Sequence, residues 1–367
     1  MPRRWILLTI LLFCCVGLGL GILAVVLGSQ PAAAAQKVAF RRLPPVTPTA
    51  IPTTSASNPA PAPTSTPVPM RTFAPLPTPT NALQPYFVES LRSRPYTAGT
   101  ITVVAPLERN SAYTRYLITY YSDGLRVTGL MNLPPGDGPF PVIILNHGYY
   151  EPASYVPGDG TQPFADAFAR QGYLTLTPDY RIYGGSDQGP DPYRTGFAVD
   201  LVNLIASVRS LPQARADDIG LWGHSMGGGV ALEALVMNPP GVRAAVLLAP
   251  MSGDFAENYS AIVAARGGAA LGPDWTIAPQ DDPEAYQQLS PINYLKYVSV
   301  PVQIHHGQSD LVVPPGWSAQ LAQALTDAGK DATFYLYPGA GHFFYSDAWS
   351  LCVARTLEFF NSTLEAR

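Results

Sequence analysis

Residues 219–237 read IGLWGHSMGGGVALEALVM. The segment begins with a short apolar run at 219–222 and ends with a longer one at 230–237. Between them, Gly223-His224-Ser225-Met226-Gly227 matches the pattern G-x-S-x-G, in which a serine occupies a sharp turn between a strand and a helix. The flanking glycines let neighbouring backbone approach this turn without a Cβ clash. The segment therefore predicts a strand, a tight turn that exposes the Ser225 hydroxyl, and a helix.

Further apolar runs indicate that strands and helices alternate along the chain. Continuous runs, typical of strands buried on both faces, occur at residues 142–145, 173–177, 219–222, 244–249, 302–304 and 333–336. Residues 116–120 and 127–131 flank Ser122-Asp123-Gly124, a hairpin turn signal. Helical spacing occurs at residues 197–211, 318–328 and 348–364. This order predicts the α/β class, with a mostly parallel central sheet, helices on both faces, and ligands bound at the carboxyl ends of the strands.

A serine hydroxyl attacks a carbonyl efficiently when a histidine takes its proton and a carboxylate orients that histidine. His342 lies in a glycine-rich loop that follows the strand predicted at 333–336. Asp310 follows the strand predicted at 302–304. The order Ser–Asp–His along the chain is that of the α/β-hydrolase fold. We therefore predict this fold, with Ser225, Asp310 and His342 as a catalytic triad.

Other acids and bases fit these two roles less well. Asp254 follows the strand predicted at 244–249 and is the alternative acid. Asp347 is close to His342 in the sequence, but it is expected to cap the last helix. The remaining histidines are expected to be hydrogen-bonded structural residues: His147, His224, His305 and His306. His342 is therefore the predicted base.

Acyl transfer builds negative charge on a carbonyl oxygen, which preorganised backbone amides stabilise. The amide of Met226 is one predicted donor, because this residue follows the nucleophile. The loop at 146–150 should supply the second donor, since Gly148 permits close approach to the serine. We predict the amide of Tyr149, with the phenol hydroxyl of Tyr149 or Tyr150 as an alternative oxyanion-hole donor.

The composition argues against several classes of partner and site. The 367 residues carry 22 Lys and Arg against 26 Asp and Glu, a formal net charge of −4, and no basic stripe indicates nucleic acid as a partner. Of the three cysteines, Cys14 and Cys15 lie in an apolar N-terminal run and Cys352 stands apart. We therefore expect no disulfide within the folded domain and no cysteine metal site. The expected partner is a small-molecule or peptide substrate, and no metal or organic cofactor is predicted.

The first 30 residues are predicted to be a transmembrane anchor or a signal peptide. Arg3 and Arg4 precede an uncharged run at 5–28, which as a helix would span roughly 36 Å, against a hydrocarbon core of about 30 Å. Alanines at 32–35 offer a cleavage site for a signal peptidase. The two arginines predict that the rest of the chain lies outside the cytoplasm, anchored to the cell membrane or secreted after cleavage.

Two further regions follow this N-terminal segment. Residues 31–80 are rich in Pro, Thr, Ala and Ser, which predicts a disordered, extended stalk. Residues 81–367 are predicted to form the α/β-hydrolase domain. Within it, residues 251–299 break the alternation of strands and helices, so we expect them to be a small cap insertion above the sheet.

Residues 127–364 resemble the catalytic domain of the prolyl oligopeptidase family of serine peptidases. The motifs that carry this resemblance are His147-Gly148, Pro178-Asp179-Tyr180-Arg181, Gly184-Gly185-Ser186, Gly223-His224-Ser225-Met226-Gly227-Gly228, Ser290-Pro291-Ile292, His306-Gly307 before Asp310, Val313-Pro314, Gly329-Lys330 and Tyr337-Pro338-Gly339 before Gly341-His342. The resemblance implies hydrolysis of peptide or ester bonds through an acyl-enzyme. Related dienelactone-hydrolase-like and acyl-esterase proteins share the same core.

The chain departs from the family pattern before the catalytic core, where family peptidases usually carry a β-propeller that limits substrate size. Four functions therefore stay open: a serine peptidase or amidase, a carboxylesterase, an acyltransferase that uses the same acyl-enzyme, and a surface binding protein on an inactive hydrolase scaffold. Asp179, Arg181 and Ser186 could touch substrate, but we expect them to hold their loop in place. The sequence does not predict the oligomeric state.

Overall fold

The computed structural model describes residues 83–96, 98–269, 271–272, 274–275 and 277–364. The predicted anchor or signal peptide at 1–30 and the predicted stalk at 31–80 lie outside these residues, so both stay predictions. Among the helices that the structure describes, none combines the length and the apolar character needed to cross a membrane.

A mixed sheet forms the centre of the described domain. Its strands are β1 (Thr102–Arg109), β2 (Thr114–Ser122), β3 (Leu125–Leu133), β4 (Phe140–Asn146), β5 (Leu174–Pro178), β6 (Ala214–His224), β7 (Val242–Leu248), β8 (Val302–Gly307) and β9 (Ala332–Tyr337). Their order across the sheet is β1-β2-β3-β5-β4-β6-β7-β8-β9. The pairs β1–β2, β2–β3 and β3–β5 are antiparallel, and the remaining pairs of this sheet are parallel. The carboxyl ends of the parallel strands therefore share one edge of the sheet, where ligands are expected.

The strands predicted from apolar runs are present as β2 to β9, and the mostly parallel sheet is confirmed. Strand β6 begins at Ala214, earlier than predicted, because its first four residues are not buried and lack an apolar pattern. The sequence did not predict β1. This strand lies at the edge of the sheet, is exposed along most of its length and contains Pro106, so it shows little of the burial on which the prediction rests.

Helices cover both faces of this sheet. The described α-helices are α1 (Val88–Ser93), α2 (Gln162–Ala169), α3 (Thr195–Ser207), α4 (Met226–Met237), α5 (Phe255–Ala265), α6 (Pro283–Leu289), α7 (Pro315–Asp327) and α8 (Ser346–Thr363). In β4, Val142 and Ile144 pack in the same apolar cluster as α3 and α4. Ile143 and Leu145 pack in a second cluster with α2 and α8. Burial on both faces explains why the central strands read as continuous apolar runs.

Residues 251–299, predicted to be a cap insertion, contain α5, α6 and a short 3₁₀ helix at Pro291–Tyr297. Phe255 and Tyr286 from this region pack against Tyr193 in a separate apolar cluster. The region thus has its own small core. Its role as a cap over a substrate stays a prediction.

Three helices begin earlier than predicted, and the first is α3, which begins at Thr195 rather than at residue 197. Helix α7 begins at Pro315 rather than at residue 318, because proline suits the first position of a helix. Helix α8 begins at Ser346, and its N-cap residue is Tyr345. The prediction that Asp347 caps this helix is therefore wrong. Asp347 lies inside the first turn, where its negative charge interacts favourably with the helix dipole.

Candidate active site

Ser225 lies alone between the end of β6 and the start of α4. Its backbone has φ 56° and ψ −120°, a conformation that is costly for a residue with a side chain. Four backbone hydrogen bonds hold it. Ser225 N donates to the carbonyl of Leu248 at 2.9 Å, and its own carbonyl accepts from Gly228 N and Met251 N, both at 3.0 Å, and from Gly229 N at 3.2 Å. The predicted sharp turn is therefore present, and the surrounding backbone fixes its geometry.

Glycines at this turn make room for neighbouring backbone. A Cβ on Gly227 would lie 2.1 Å from the carbonyl oxygen of Asn146, and one on Gly223 would lie 2.2 Å from the carbonyl oxygen of Gly227. A Cβ on Gly148 would lie 3.4 Å from the Cβ of Ser225. The loop at 146–150 thus packs directly against the serine turn, which is why three small residues are needed here.

Asp310 and His342 are hydrogen-bonded to each other at the carboxyl ends of β8 and β9. Asp310 Oδ2 accepts from His342 Nδ1 at 2.7 Å. Asp310 Oδ1 accepts from the backbone amides of Val312 and Val313 at 2.8 and 2.9 Å. The predicted pairing of this acid with this base is present.

The electrostatics of Asp310 favour its charged form. Burial alone would raise the pKa of this carboxyl, but hydrogen bonds from His306 and His342 outweigh burial and hold the pKa well below its ordinary value. With the Nδ1–H of His342 donating to the carboxylate, the neutral imidazole leaves Nε2 as an acceptor. An acceptor at that position can take a proton from a hydroxyl.

His224 connects the acid–base pair to the serine turn. Its Nε2 donates to the carbonyl of His342 at 2.9 Å, and the centroids of the two rings are 4.6 Å apart. Because His224 directly precedes Ser225, this contact brings the loop of His342 to the strand–helix turn. Contact between the Ser225 hydroxyl and His342 Nε2 stays a prediction.

The sequence analysis missed the role of His306. We expected a structural loop residue, whereas His306 lies in β8 and its Nε2 donates to Asp310 Oδ2 and to the carbonyl of Val313, both at 3.1 Å. Its Nδ1 pairs with Ser318 Oγ at 2.6 Å. The spacing of four residues between His306 and Asp310 was the available signal, because a short loop can fold an acid back onto a histidine at the strand end.

The other histidines are buried and engaged elsewhere. Burial lowers the pKa of His147 to about 4, and its ring nitrogens lie 2.7 Å from the carbonyl of Gly148 and 3.1 Å from that of Asp179. Burial also lowers the pKa of His305 to about 3, and its ring contacts Tyr337 Oη and Gln303 Oε1. The pKa of His224 is also lowered to about 3, mainly by burial and to a smaller extent by the nearby His342. The neutral form is thus favoured in each case.

The predicted oxyanion-hole residues lie beside the serine turn. Met226 begins α4 and is buried, and Tyr149 follows Gly148 in the adjoining loop. The Tyr149 side chain is 41% exposed, and its hydroxyl donates to Glu151 at 3.3 Å. Tyr150 Oη lies beside Gly160, 2.7 Å from where a Cβ would stand. Donation from the amides of Tyr149 and Met226 to an oxyanion stays a prediction.

The alternative acid and the three loop residues have structural partners. Asp254 caps α5 by accepting from Ala256 N at 2.8 Å. Arg181 pairs with Asp200 at 2.8 Å. Ser186 Oγ accepts from the amide of Thr128 at 3.0 Å. These bonds fit the expected roles in holding the local structure.

Asp179 is also tied to its surroundings. Thr128 Oγ1 and Tyr155 Oη donate to its two carboxyl oxygens at 2.6 and 2.9 Å. Burial nevertheless raises the pKa of Asp179 to about 7, against the lowering effect of these two bonds. Neither around Asp179 nor elsewhere in the described residues do three or more His, Cys, Asp or Glu side chains form a group that could hold a metal ion.

A cavity of about 350 Å³, including its open mouth, lies along α4. It is lined by Tyr193, Arg194, Met226, Gly229, Val230, Glu233, Met251, Ser252, Phe255, Asn258 and Trp275. Met226 connects this cavity to the serine turn.

Comparison with known proteins agrees with this geometry. The family model of the prolyl oligopeptidase family matches residues 164–367. The chain is 26% identical over 239 residues to the uncharacterized peptidase YtmA of Bacillus subtilis, covering 62% of this chain and 86% of that protein. It is 23% identical over 246 residues to a protein of Synechocystis sp. described as a carboxymethylenebutenolidase, covering 63% of this chain and 86% of that protein.

The solved structure of an acetyl xylan esterase from Paenibacillus sp. R4 has a similar fold. Its TM-score is 0.55 at 21% sequence identity, and the match covers 76% of this chain and 92% of that one. At this identity the likeness concerns the fold alone, and it confirms the predicted α/β-hydrolase fold. Because the family model spans more than half of the sequence, this chain belongs to the prolyl oligopeptidase family.

Proposed function

We propose that this protein is a serine hydrolase that cleaves peptide or amide bonds through an acyl-enzyme formed on Ser225. The hydrogen bond between Asp310 Oδ2 and His342 Nδ1, at the sheet edge where Ser225 occupies a strained turn, carries this proposal. An ionised acid that fixes the tautomer of a histidine beside a strained serine is the arrangement that acyl transfer requires.

In the proposed reaction, Ser225 Oγ attacks the substrate carbonyl carbon while His342 Nε2 takes the hydroxyl proton. Asp310 stabilises the resulting imidazolium, and the amides of Met226 and Tyr149 stabilise the oxyanion. The imidazolium then protonates the leaving amine or alcohol as its bond to the carbonyl carbon breaks. His342 next takes a proton from water, whose oxygen bonds to the acyl carbon. The bond between that carbon and Ser225 Oγ then breaks, His342 returns the proton to Oγ, and the carboxylic acid product is released.

Relatives support two classes of bond. YtmA is named as a peptidase, and the Synechocystis protein is described as a carboxymethylenebutenolidase; each is matched over 86% of its length. Peptide or amide bonds are our first proposal, because the matching family is one of peptidases. Ester bonds are the second proposal, since the same acyl-enzyme chemistry serves both.

Ser225→Ala tests the shared chemistry. We expect labelling by a fluorophosphonate probe to be lost, and turnover to fall by about 10⁴–10⁶-fold, as for other serine hydrolases without their nucleophile. The measurement compares labelling and initial rates on a panel of aminoacyl amides and short acyl esters. Ser260→Ala is the control, because Ser260 lies on α5 and its hydroxyl donates to the carbonyl of Ala256.

Labelling that persists in Ser225→Ala would refute the proposal, as would a folded wild-type protein that neither labels nor turns over any substrate. Turnover of esters alone would exclude the peptidase form and retain the esterase form. Transfer of the acyl group to an added amine or alcohol would identify an acyltransferase.

A further inference from the structure

Two ionisable side chains in the cavity along α4, Arg194 and Glu233, form no ion pair within the described residues. The guanidinium of Arg194 contacts Met251 Sδ at 3.5 Å and lies 5.3 Å above the ring centroid of Tyr149. Within the described residues, Arg194 makes no ion pair with a carboxylate. Glu233 is 2% exposed, and its Oε1 has no hydrogen-bond partner in that same part of the chain.

The backbone that carries Arg194 is strained. Tyr193 and Arg194 both have positive φ, 53° and 67°, although neither is glycine. Tyr193 N donates to the carbonyl of Asp274 at 2.9 Å, and Arg194 N donates to that of Asp191 at 3.1 Å. A left-handed backbone conformation costs free energy for a residue other than glycine, so it persists only where the surrounding structure imposes it. Such residues occur often at ligand sites. Here the strained pair places a guanidinium on the wall of the cavity.

The two side chains lie at different depths. Met226, Val230 and Glu233 are spaced for one face of α4, so Glu233 is about 10 Å along the helix from Met226. Arg194 contacts Met251, whose amide donates to the carbonyl of Ser225. Arg194 therefore lies near the serine turn, whereas Glu233 lies further inside.

The electrostatics of the cavity favour an anion. A partly buried guanidinium that forms no ion pair binds a carboxylate well, because its N–H groups match the two oxygens. Burial raises the pKa of Glu233 well above its ordinary value, which favours the neutral carboxyl and weakens its repulsion of an anion. Burial lowers the pKa of Arg194, the neighbouring Tyr183, Asp191 and Tyr149 raise it, and the exposed Arg266 lowers it. Asp191 is itself buried, and burial raises its pKa well above its ordinary value, which weakens its negative charge beside Arg194.

We propose that Arg194 binds a carboxylate in the acyl part of the substrate. The substrate class is then esters or amides of dicarboxylic acids, including peptides with an acidic residue on the acyl side of the cleaved bond. This inference rests on the proposed function, because it places the acyl group of the Ser225 acyl-enzyme in this cavity.

The test compares 4-nitrophenyl monoesters of glutaric and valeric acid, whose acyl chains have equal length and differ in a carboxylate. For the full chain we expect kcat/KM to favour the glutaryl ester by about 10- to 100-fold, the usual effect of hydrogen bonds to a charged group. Arg194→Gln should bring this ratio close to one, and Arg194→Lys should restore part of it. Arg266→Gln, which removes the same charge outside the cavity, should retain most of the preference, because exposed charges are screened.

A second measurement does not depend on turnover. 5-Oxohexanoate, a ketone with the same carboxylate spacing and no bond to hydrolyse, should raise the Tm of the wild-type protein, and this shift should be lost in Arg194→Gln and retained in Arg266→Gln. Fluorophosphonate labelling of each variant counts the functional serines and shows that the variant is folded at the site.

The outcomes separate the two proposals. Full labelling with equal rates on both esters, or a preference for a cationic acyl chain, would overturn the anion site and leave the hydrolase intact. A Tm shift that depends on Arg194, without labelling or turnover, would retain the anion site and refute the hydrolase. A glutaryl preference that survives in Arg194→Gln would assign the charge to another residue and also overturn the inference.

Discussion

Asp310 and Glu233 are both buried carboxyl residues, one bonded to His342 and the other in the cavity along α4, and their surroundings differ sharply. Asp310 accepts four hydrogen bonds, from His306, His342 and the amides of Val312 and Val313. Glu233 Oε1 accepts none among the described residues. Burial raises the pKa of Glu233 well above its ordinary value, whereas the hydrogen bonds hold that of Asp310 well below it.

The difference shows that burial and partners determine charge together. Removal from water always favours the neutral carboxyl, and only directed donors reverse this preference. Donors around Asp310 keep a negative charge where a histidine must become a cation during the reaction. No such donors serve Glu233, so the same kind of group is neutral and its hydrogen-bonding capacity is unused. The hydrogen-bonded cluster around Asp310 therefore suits catalysis, whereas the cavity around Glu233, whose Oε1 lacks a hydrogen-bond partner among the described residues, suits binding of a substrate.

Breaking the satisfied cluster should have the largest effect. In Asp310→Asn the side-chain amide can donate to His342 Nδ1, which favours the wrong tautomer, and kcat should fall by about 10⁴-fold. Rates on an activated ester, normalised to folded protein, measure this change.

Asp254→Asn is the matched control, since Asp254 caps α5 and an asparagine caps equally well. We expect it to retain kcat. A loss below about tenfold in Asp310→Asn, too small for loss of a triad acid, would show that Asp310 is not the acid that orients the base.

A smaller effect is expected at His306, the positioning residue that shares Asp310 Oδ2 with His342. His306→Phe removes one hydrogen bond to a charged group, so kcat should fall by about 10- to 100-fold. KM should change little, because His306 contacts the acid and not the cavity. His306→Gln keeps an N–H donor and should recover part of the rate.

His305→Gln is the control for this substitution, because the neighbouring histidine of β8 bonds to Tyr337 and Gln303 instead. It should alter the free energy of unfolding and retain kcat. Equal losses of kcat in the His305 and His306 variants would reduce the role of His306 to core packing.

The sequence predicted the fold where burial leaves a pattern. The core strands β4 to β8 are covered on both faces, so their apolar runs were visible. The edge strand β1 has no such cover and was missed. Residues 219–237 were the most informative, since strand, turn and helix each depend on local sequence there.

The candidate site was predictable in part for the same reason. Ser225, Asp310 and His342 follow separate strands whose carboxyl ends meet at one edge, so topology alone brings their loops together. The sequence could not show that His306 turns toward Asp310, because the direction of a strand-end side chain depends on the neighbouring loop. The cavity was equally hidden, since residues distant in the sequence, such as Arg194, Glu233 and Met251, line it together.

The smallest expected effect is that of Glu233→Gln, which tests the contrast between Glu233 and Asp310 through the pH dependence of the free energy of unfolding. The unfolded state loses the Glu233 proton near its ordinary pKa of 4.5, whereas the folded state retains it to higher pH. Wild-type stability should therefore fall as pH rises above about 4.5, by at most about 1.4 kcal/mol per pH unit from this one group. In Glu233→Gln this contribution is absent, so the variant should gain relative to the wild type as pH rises above about 4.5. Asp310→Asn should show the opposite dependence, because the folded pKa of Asp310 is depressed and its contribution is lost only as pH falls below its ordinary value of 3.8. Denaturant unfolding at several pH values measures both slopes, and a pH-independent difference between Glu233→Gln and the wild type would mean that Glu233 is charged and has a cation partner.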